Sequence, residues 1–187
     1  MIKKLAVGLT VAAVAVIVIA WAAAPVLAAQ ALIRAAKAGD ADRIEQLVDF
    51  PALRESLKDE LTTELAAHMR RDPRMAESDL GGLGLILAPM LLSGAVDAVV
   101  TPEVVAQMVT TAEAPDPTVR DQPEPGDAGD RGDDIHQAWG YRDLNAFAVT
   151  LTDRDHPDQR LALILERRGL FTWKLAAVDL QTGAGEP

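Results

Sequence analysis

The residue types that carry most protein chemistry are scarce in this 187-residue chain: three histidines, three serines and no cysteine. Without cysteine there are no disulfides, no thiolate nucleophile and no Cys-ligated zinc or iron–sulfur site. Glu64 and His68 lie four apart, so on one helix face they would supply two metal ligands. No second histidine follows at zinc-site spacing, and the pair reads as an exposed helix pair. The turn Asp153-Arg154-Asp155-His156-Pro157-Asp158 offers three carboxylates to a calcium ion. It lacks the glycine and distal glutamate of a standard loop, and Arg154 competes, so it reads as a solvated hairpin turn. None of Ser56, Ser78 and Ser93 sits in a Gly-x-Ser-x-Gly elbow. Gly81-Gly82-Leu83-Gly84 lacks the preceding strand and the Lys-Ser/Thr of a phosphate loop. Asp59-Glu60 and Asp133-Asp134 are sequence neighbours, and only spatial separation would make such acids an acid–base couple. No catalytic residue, metal ligand or cofactor is assigned, and the chain is expected not to be an enzyme.

Charge and aromatic content narrow the partners. With 18 Lys+Arg against 28 Asp+Glu the net charge is −10, which argues against nucleic acid, bound mainly through cations on phosphates. Aromatics are 4% of residues, too few for a base- or sugar-stacking surface. The aromatic positions that stand out are Trp139, Tyr141 and Trp173. With Leu85, Met90 and Leu91, from a second apolar stretch, they form the possible ligand or partner surface; packing in the core is the competing reading.

The first apolar stretch sets the compartment. After Lys3 and Lys4 the chain is uncharged from Leu5 to Ile33, and Leu5–Ala29 is strongly apolar. About 20 helical residues cross a hydrocarbon core, so residues 5–29 are long enough to span a membrane. Lys3 and Lys4 hold the amino end in the cytoplasm by the positive-inside rule, which exports the body on a single-pass anchor. A cleaved signal peptide is the alternative: Pro25 would break the helix, and Val26-Leu27-Ala28 presents a cleavage site after Ala28, leaving a soluble periplasmic protein. Against cleavage, the stretch exceeds a usual signal core, and Ala31, Leu32, Arg34 and Ala35 continue into helix-prone sequence.

The body is expected to be α+β. Residues 30–111 form its helical part. Gly39-Asp40 reads as a helix stop followed by an N-cap, starting a helix at about 41–48 with Ile44, Leu47 and Val48 inward. The next helix, about 51–70, carries a stripe of Leu53, Leu57, Leu61, Leu65 and Met69. Leu80 to Val96 is uncharged but interrupted by four glycines, Gly81, Gly82, Gly84 and Gly94, and by Pro89, which suits core or pocket rather than a membrane span. Thr101-Pro102-Glu103 starts a helix ending near Thr110. Residues 112–134 hold four prolines, three glycines and eight acids against two arginines, the composition of a linker. Its Arg131-Gly132-Asp133 spells the integrin tripeptide but reads as solvated linker. From 135 to 180 the period becomes alternating, with strands around Phe147–Thr152, Leu161–Glu166 and Phe171–Val178. They predict a three-stranded antiparallel meander packed on the helices, with residues 181–187 a frayed tail.

Three blocks carry a resemblance: Ala38-Gly39-Asp40 with Val48–Arg54 and Ser56-Leu57-Lys58; Thr101-Pro102-Glu103; and Leu165–Leu175. Together they resemble the bacterial membrane-anchored family known as domain of unknown function 2939. The resemblance implies an amino-terminal hydrophobic segment leading directly into the Gly-Asp helix pair, hence a retained single-pass anchor in the bacterial inner membrane with the domain facing the periplasm; it transfers no activity, cofactor or catalytic residue. More distantly, the order of helix then sheet is similar to small cystatin-like or NTF2-like exported domains, many of which are non-catalytic. The expected function is therefore a non-catalytic cell-envelope module binding a protein or a small lipid-like apolar ligand. The alternative is a carboxylate-dependent hydrolase of the envelope, which would show converging acids in a polar cleft.

Overall fold

The computed structural model describes residues 2–71, 93–111, 135–153 and 159–182. Over these the element order is α1 (Ile2–Ala38), α2 (Ala41–Leu47), α3 (Phe50–Arg71), a short α4 (93–99), α5 (Pro102–Thr111), β1 (Ile135–Tyr141), β2 (Ala146–Asp153), β3 (Gln159–Arg167) and β4 (Trp173–Thr182). The fold is α+β, as the change of period at the linker requires.

Helix α1 runs for 37 residues, roughly 55 Å. Pro25 lies inside it rather than ending it, contrary to the break that the signal-peptide alternative expects there. A proline removes the bond to the carbonyl four residues back, Trp21, but neighbouring structure can compensate. One carbonyl further on, Ala22 accepts the Tyr141 hydroxyl at 2.7 Å. The helix ends where the sequence says it should. Gly39 takes φ +63°, its N–H bonding the Ala36 carbonyl, while the Asp40 N–H reaches the Ala35 carbonyl. This pair of bonds satisfies carbonyls the helix leaves unpaired. The Asp40 carboxylate then accepts from the Arg43 N–H and starts α2. Asp49 does the same for α3 through the Ala52 N–H, and the Thr101 hydroxyl for α5 through the Val104 N–H.

The sheet has four strands in the order β1-β2-β3-β4, all antiparallel, one more than expected. The extra strand, β1, pairs Tyr141 with Phe147 and Trp139 with Val149. Its sequence, IHQAWGY, mixes polar residues and a glycine into the alternation, which hid it. A second departure concerns β4. Trp173 faces the core with Leu175, as the competing core reading has it, and a bulge opposite Ile164/Leu165 inserts one residue, so Val178 pairs with Leu163 and is buried where unbroken alternation would put Ala177. One extra residue in a strand reverses the facing of everything after it. Strand β4 also continues through Gln181 and Thr182, which were expected in the frayed tail.

One core joins helices to sheet. Leu151, Leu161, Leu163, Leu165 and Leu175 line the inner face, and Leu32, Ile44, Leu53, Val100 and Val105 cover it from the helices. Each such side chain contributes about 1.5–3 kcal/mol on leaving water. Of the stripe expected on α3, Leu53 and Leu57 are buried and Leu61 partly so. The outer edge of β4 is closed by the α2–α3 junction. Val48 bridges to Leu175, and the Asp49 N–H donates to the Leu175 carbonyl at 2.8 Å. The Ser56 hydroxyl accepts from the Val178 N–H and donates to its carbonyl. Ser56 is thus an edge clamp, which spares the strand from pairing with another chain.

Candidate functional site

Above the core, α1 changes character. From Val7 to Ile19 every large apolar side chain is more than half exposed, whereas Ala24, Ala29, Leu32, Ala35 and Ala36 are buried in the domain. The stretch Val7–Ala38 is apolar and long enough to cross a membrane. The place where this helix meets the sheet holds the densest constellation of aromatic and cationic groups among the described residues.

Arg167, the last residue of β3, organises it. Its guanidinium lies between two indoles, 4.2 Å from the Trp21 ring centre and 4.5 Å from that of Trp173. Such stacking is attractive because the ring face is electron-rich, and the planar guanidinium suits it better than an ammonium. The N–H groups left at its edge donate to the Leu144 carbonyl at 2.7 and 3.2 Å and to the Leu170 carbonyl at 3.2 Å. One side chain therefore ties α1 to both hairpin turns, 142–145 and 168–172. Around it, Tyr141 packs edge-on to Phe147 and Trp173, and Trp139 edge-on to Phe147.

The neighbouring Arg168 is bound differently. It donates to Asp49 at 2.8 Å and to Glu166 at 2.7 Å. The hydrogen bond from Arg168 is the main reason the Asp49 carboxyl is held below its ordinary range, with the Ala52 N–H adding to it. The Arg168 guanidinium is correspondingly raised. Glu103, at the start of α5, is also held low, chiefly by its own backbone amide and then by the Thr101 hydroxyl. These are capping and ion-pair effects. Asp49 and Glu166 are two carboxylates brought together from separate segments, and both are committed to the same guanidinium. Among the described residues no group of three or more His, Asp or Glu is placed to hold a metal ion.

Beside the cluster lies an open groove of about 510 Å³ between α1 and the β3–β4 hairpin. Ala20, Ala24, Leu27, Arg43, Phe171 and Trp173 line it. Trp173 is only 2% exposed, and its buried indole N–H has no hydrogen-bond partner among the described residues.

Of the residues singled out in the sequence, Trp139, Tyr141 and Trp173 come together here, the first two exposed on β1 and the third buried at the start of β4. Leu85, Met90 and Leu91 lie outside the described residues, as do Ser78, Gly81–Gly84, the linker 112–134 and most of the turn 153–158. Glu64 and His68 belong to the backbone of α3, His136 is exposed on β1, and Ser93 begins α4. Sequence reasoning missed Arg167 and read Trp21 only as a tryptophan near the far end of the apolar segment, where the membrane interface favours it, with no part in the site. A lone arginine after an alternating run and a tryptophan in an apolar helix are legible only as a pair once β3 and α1 are side by side.

No curated protein and no solved structure matches the chain. A family model described as "Protein of unknown function (DUF2939)" matches residues 14–108, just over half of it. The matched stretch takes in the exposed and buried parts of α1 and continues to Met108 in α5, so the Leu165–Leu175 block lies beyond it. A contiguous match running from the apolar helix through the helical half of the core places this chain in the DUF2939 family of proteins of unknown function.

Proposed function

We propose that the protein is a non-catalytic cell-envelope module, held by α1 as a retained single-pass anchor in the bacterial inner membrane with its folded domain in the periplasm. The observation that carries this reading is the continuity of α1 from its exposed apolar half into the core. Cutting after Ala28 would remove Ala24 from the core, Trp21 from the Arg167 stack and the Ala22 carbonyl from the Tyr141 hydroxyl. A signal peptide is discarded, so a segment that supplies core and clamp contacts is costly to lose. Lys3 and Lys4 favour the cytoplasm for the amino end, which puts the domain on the far side. The commitment of Asp49 and Glu166 to Arg168 favours this over the carboxylate-dependent hydrolase, whose acids need different environments and a free proton path.

The partner in this reading is a protein or a small lipid-like ligand. The groove beside α1, walled mainly by apolar side chains of α1 and the β3–β4 hairpin, supports an apolar ligand. Intact mass measurement of full-length protein extracted from membranes, run under native conditions, tests both parts. Uncleaved mass is expected, with a stoichiometric lipid-like adduct. A mass lacking residues 1–28 would refute the anchor, and an empty, uncleaved protein would refute the ligand and turn the search to protein partners.

A further inference from the structure

The length of α1 outside the domain fixes how far the domain stands from the bilayer. The last charge before the apolar run is Lys4, and the first clamp to the domain is at Trp21. Those 17 residues rise roughly 25 Å, less than the hydrocarbon thickness of about 30 Å. With Lys4 at the cytoplasmic boundary, the opposite boundary falls at about residue 24; with Lys4 drawn inward by about 6 Å, its ammonium reaching back to water, it falls at about residue 20. Tilt shortens the reach further. No spacer is left between the span and the domain, so whatever surrounds Ala20–Ala24 lies at the membrane surface.

What surrounds it is the end of the sheet carrying both hairpin turns, and these turns expose large apolar side chains. Leu144 is 70% exposed, Leu170 67%, and Phe171 about half. Trp21 and Tyr141, bonded to the Ala22 carbonyl, sit beside them, and such amphipathic rings favour the headgroup level. The cations at this end are already engaged, Arg142 with Asp179, Arg168 with Asp49 and Glu166, and Arg167 between its indoles, so the exposed apolar tips, and not a charged patch, carry the contact with the bilayer.

We infer that the β1–β2 and β3–β4 hairpin tips insert Leu144, Leu170 and Phe171 into the headgroup region of the bilayer that α1 crosses. The domain is then held in one orientation on the membrane instead of swinging on a tether, with the groove opening at the lipid surface. This rests on the anchor reading above, and its test separates the two.

The chain has no cysteine, so single-cysteine labelling is clean. Full-length Leu170→Cys, Leu144→Cys and Lys37→Cys variants would each carry an environment-sensitive fluorophore. They would be reconstituted in vesicles of phosphatidylethanolamine and phosphatidylglycerol containing lipid with a nitroxide near the headgroup end of its acyl chain. Lys37 is exposed and lies about 24 Å further along α1 from Trp21. The expected result is blue-shifted, strongly quenched emission at 144 and 170, with water-like, unquenched emission at 37. Water-like emission at both tips, from protein that still floats with the vesicles, overturns the docking and leaves the anchor intact. Quenching at 37 equal to that at the tips overturns the upright orientation. Protein that fails to float refutes the anchor itself. The two tips belong to different hairpins, so one misfolded variant does not decide the outcome.

Discussion

Replacing Arg167 with alanine tests whether the anchor helix and the sheet are one mechanical unit. The substitution removes two guanidinium–indole contacts, at 4.2 Å to Trp21 and 4.5 Å to Trp173. Each is worth about 0.5–2 kcal/mol, the upper end applying when the cation is shielded from water. It also removes bonds to the Leu144 and Leu170 carbonyls, which lie in exposed turns and regain water, so they add little beyond holding the turns in place. The expected loss is about 2–3 kcal/mol, read from urea denaturation of the detergent-solubilised full chain. Arg167→Lys keeps the charge but loses the planar fork, and at most half of that loss should be recovered. A double-mutant cycle with Trp21→Ala isolates the helix–sheet part, with an expected coupling of about 1 kcal/mol. A loss below about 0.5 kcal/mol, no coupling to Trp21, or full rescue by lysine would refute the reasoning.

Two further outcomes follow from the capping geometry. Gly39→Ala should cost about 1–2 kcal/mol, because φ is +63° while nothing lies within 4 Å of an added Cβ, so the penalty is backbone strain alone. Gly39→Asn should recover much of it in the same thermal or urea melt, and an alanine variant as stable as the parent would show that the turn is not held. The folded state lowers the carboxyl of Asp49, chiefly through Arg168, so the pair's stability is fully present above the ordinary aspartate range and is lost as pH falls through the depressed folded value. Asp49→Asn retains the cap but not the ion pair. Its acid-unfolding curve should therefore be shallower below the ordinary aspartate range, and a curve parallel to the parent's would show that the pair carries no pH dependence.

Local signals in the chain were enough for the helices, for the two central strands and for an apolar helix long enough to cross a membrane. Gly39-Asp40, Asp49 and Thr101-Pro102-Glu103 punctuate the helices through bonds between near neighbours, so residue type alone specifies them. The 25 uncharged residues of Leu5–Ala29 marked an apolar helix for the same reason: length and polarity suffice. The alternation in β2 and β3 gave the inner face of the sheet, where Leu151, Leu161, Leu163 and Leu165 lie. Strand β1 escaped because an edge strand buries little and need not alternate cleanly, and the β4 bulge escaped because register is settled against a partner strand.

The candidate site was only half legible. Trp139, Tyr141 and Trp173 stood out as rare aromatics, but their grouping around Arg167 depends on residues 21, 141, 167 and 173 meeting from α1, β1, β3 and β4. The sequence by itself determined an apolar helix, its capped successors and an alternating carboxy-terminal half, all consequences of short-range periodicity and polarity. Only the tertiary structure decided that α1 passes unbroken through Pro25 into the core and that an arginine clamps it to two hairpin turns. The contacts from α1 to the sheet join residues more than 100 positions apart, and long-range pairing is set by packing and sheet register, which no local pattern encodes.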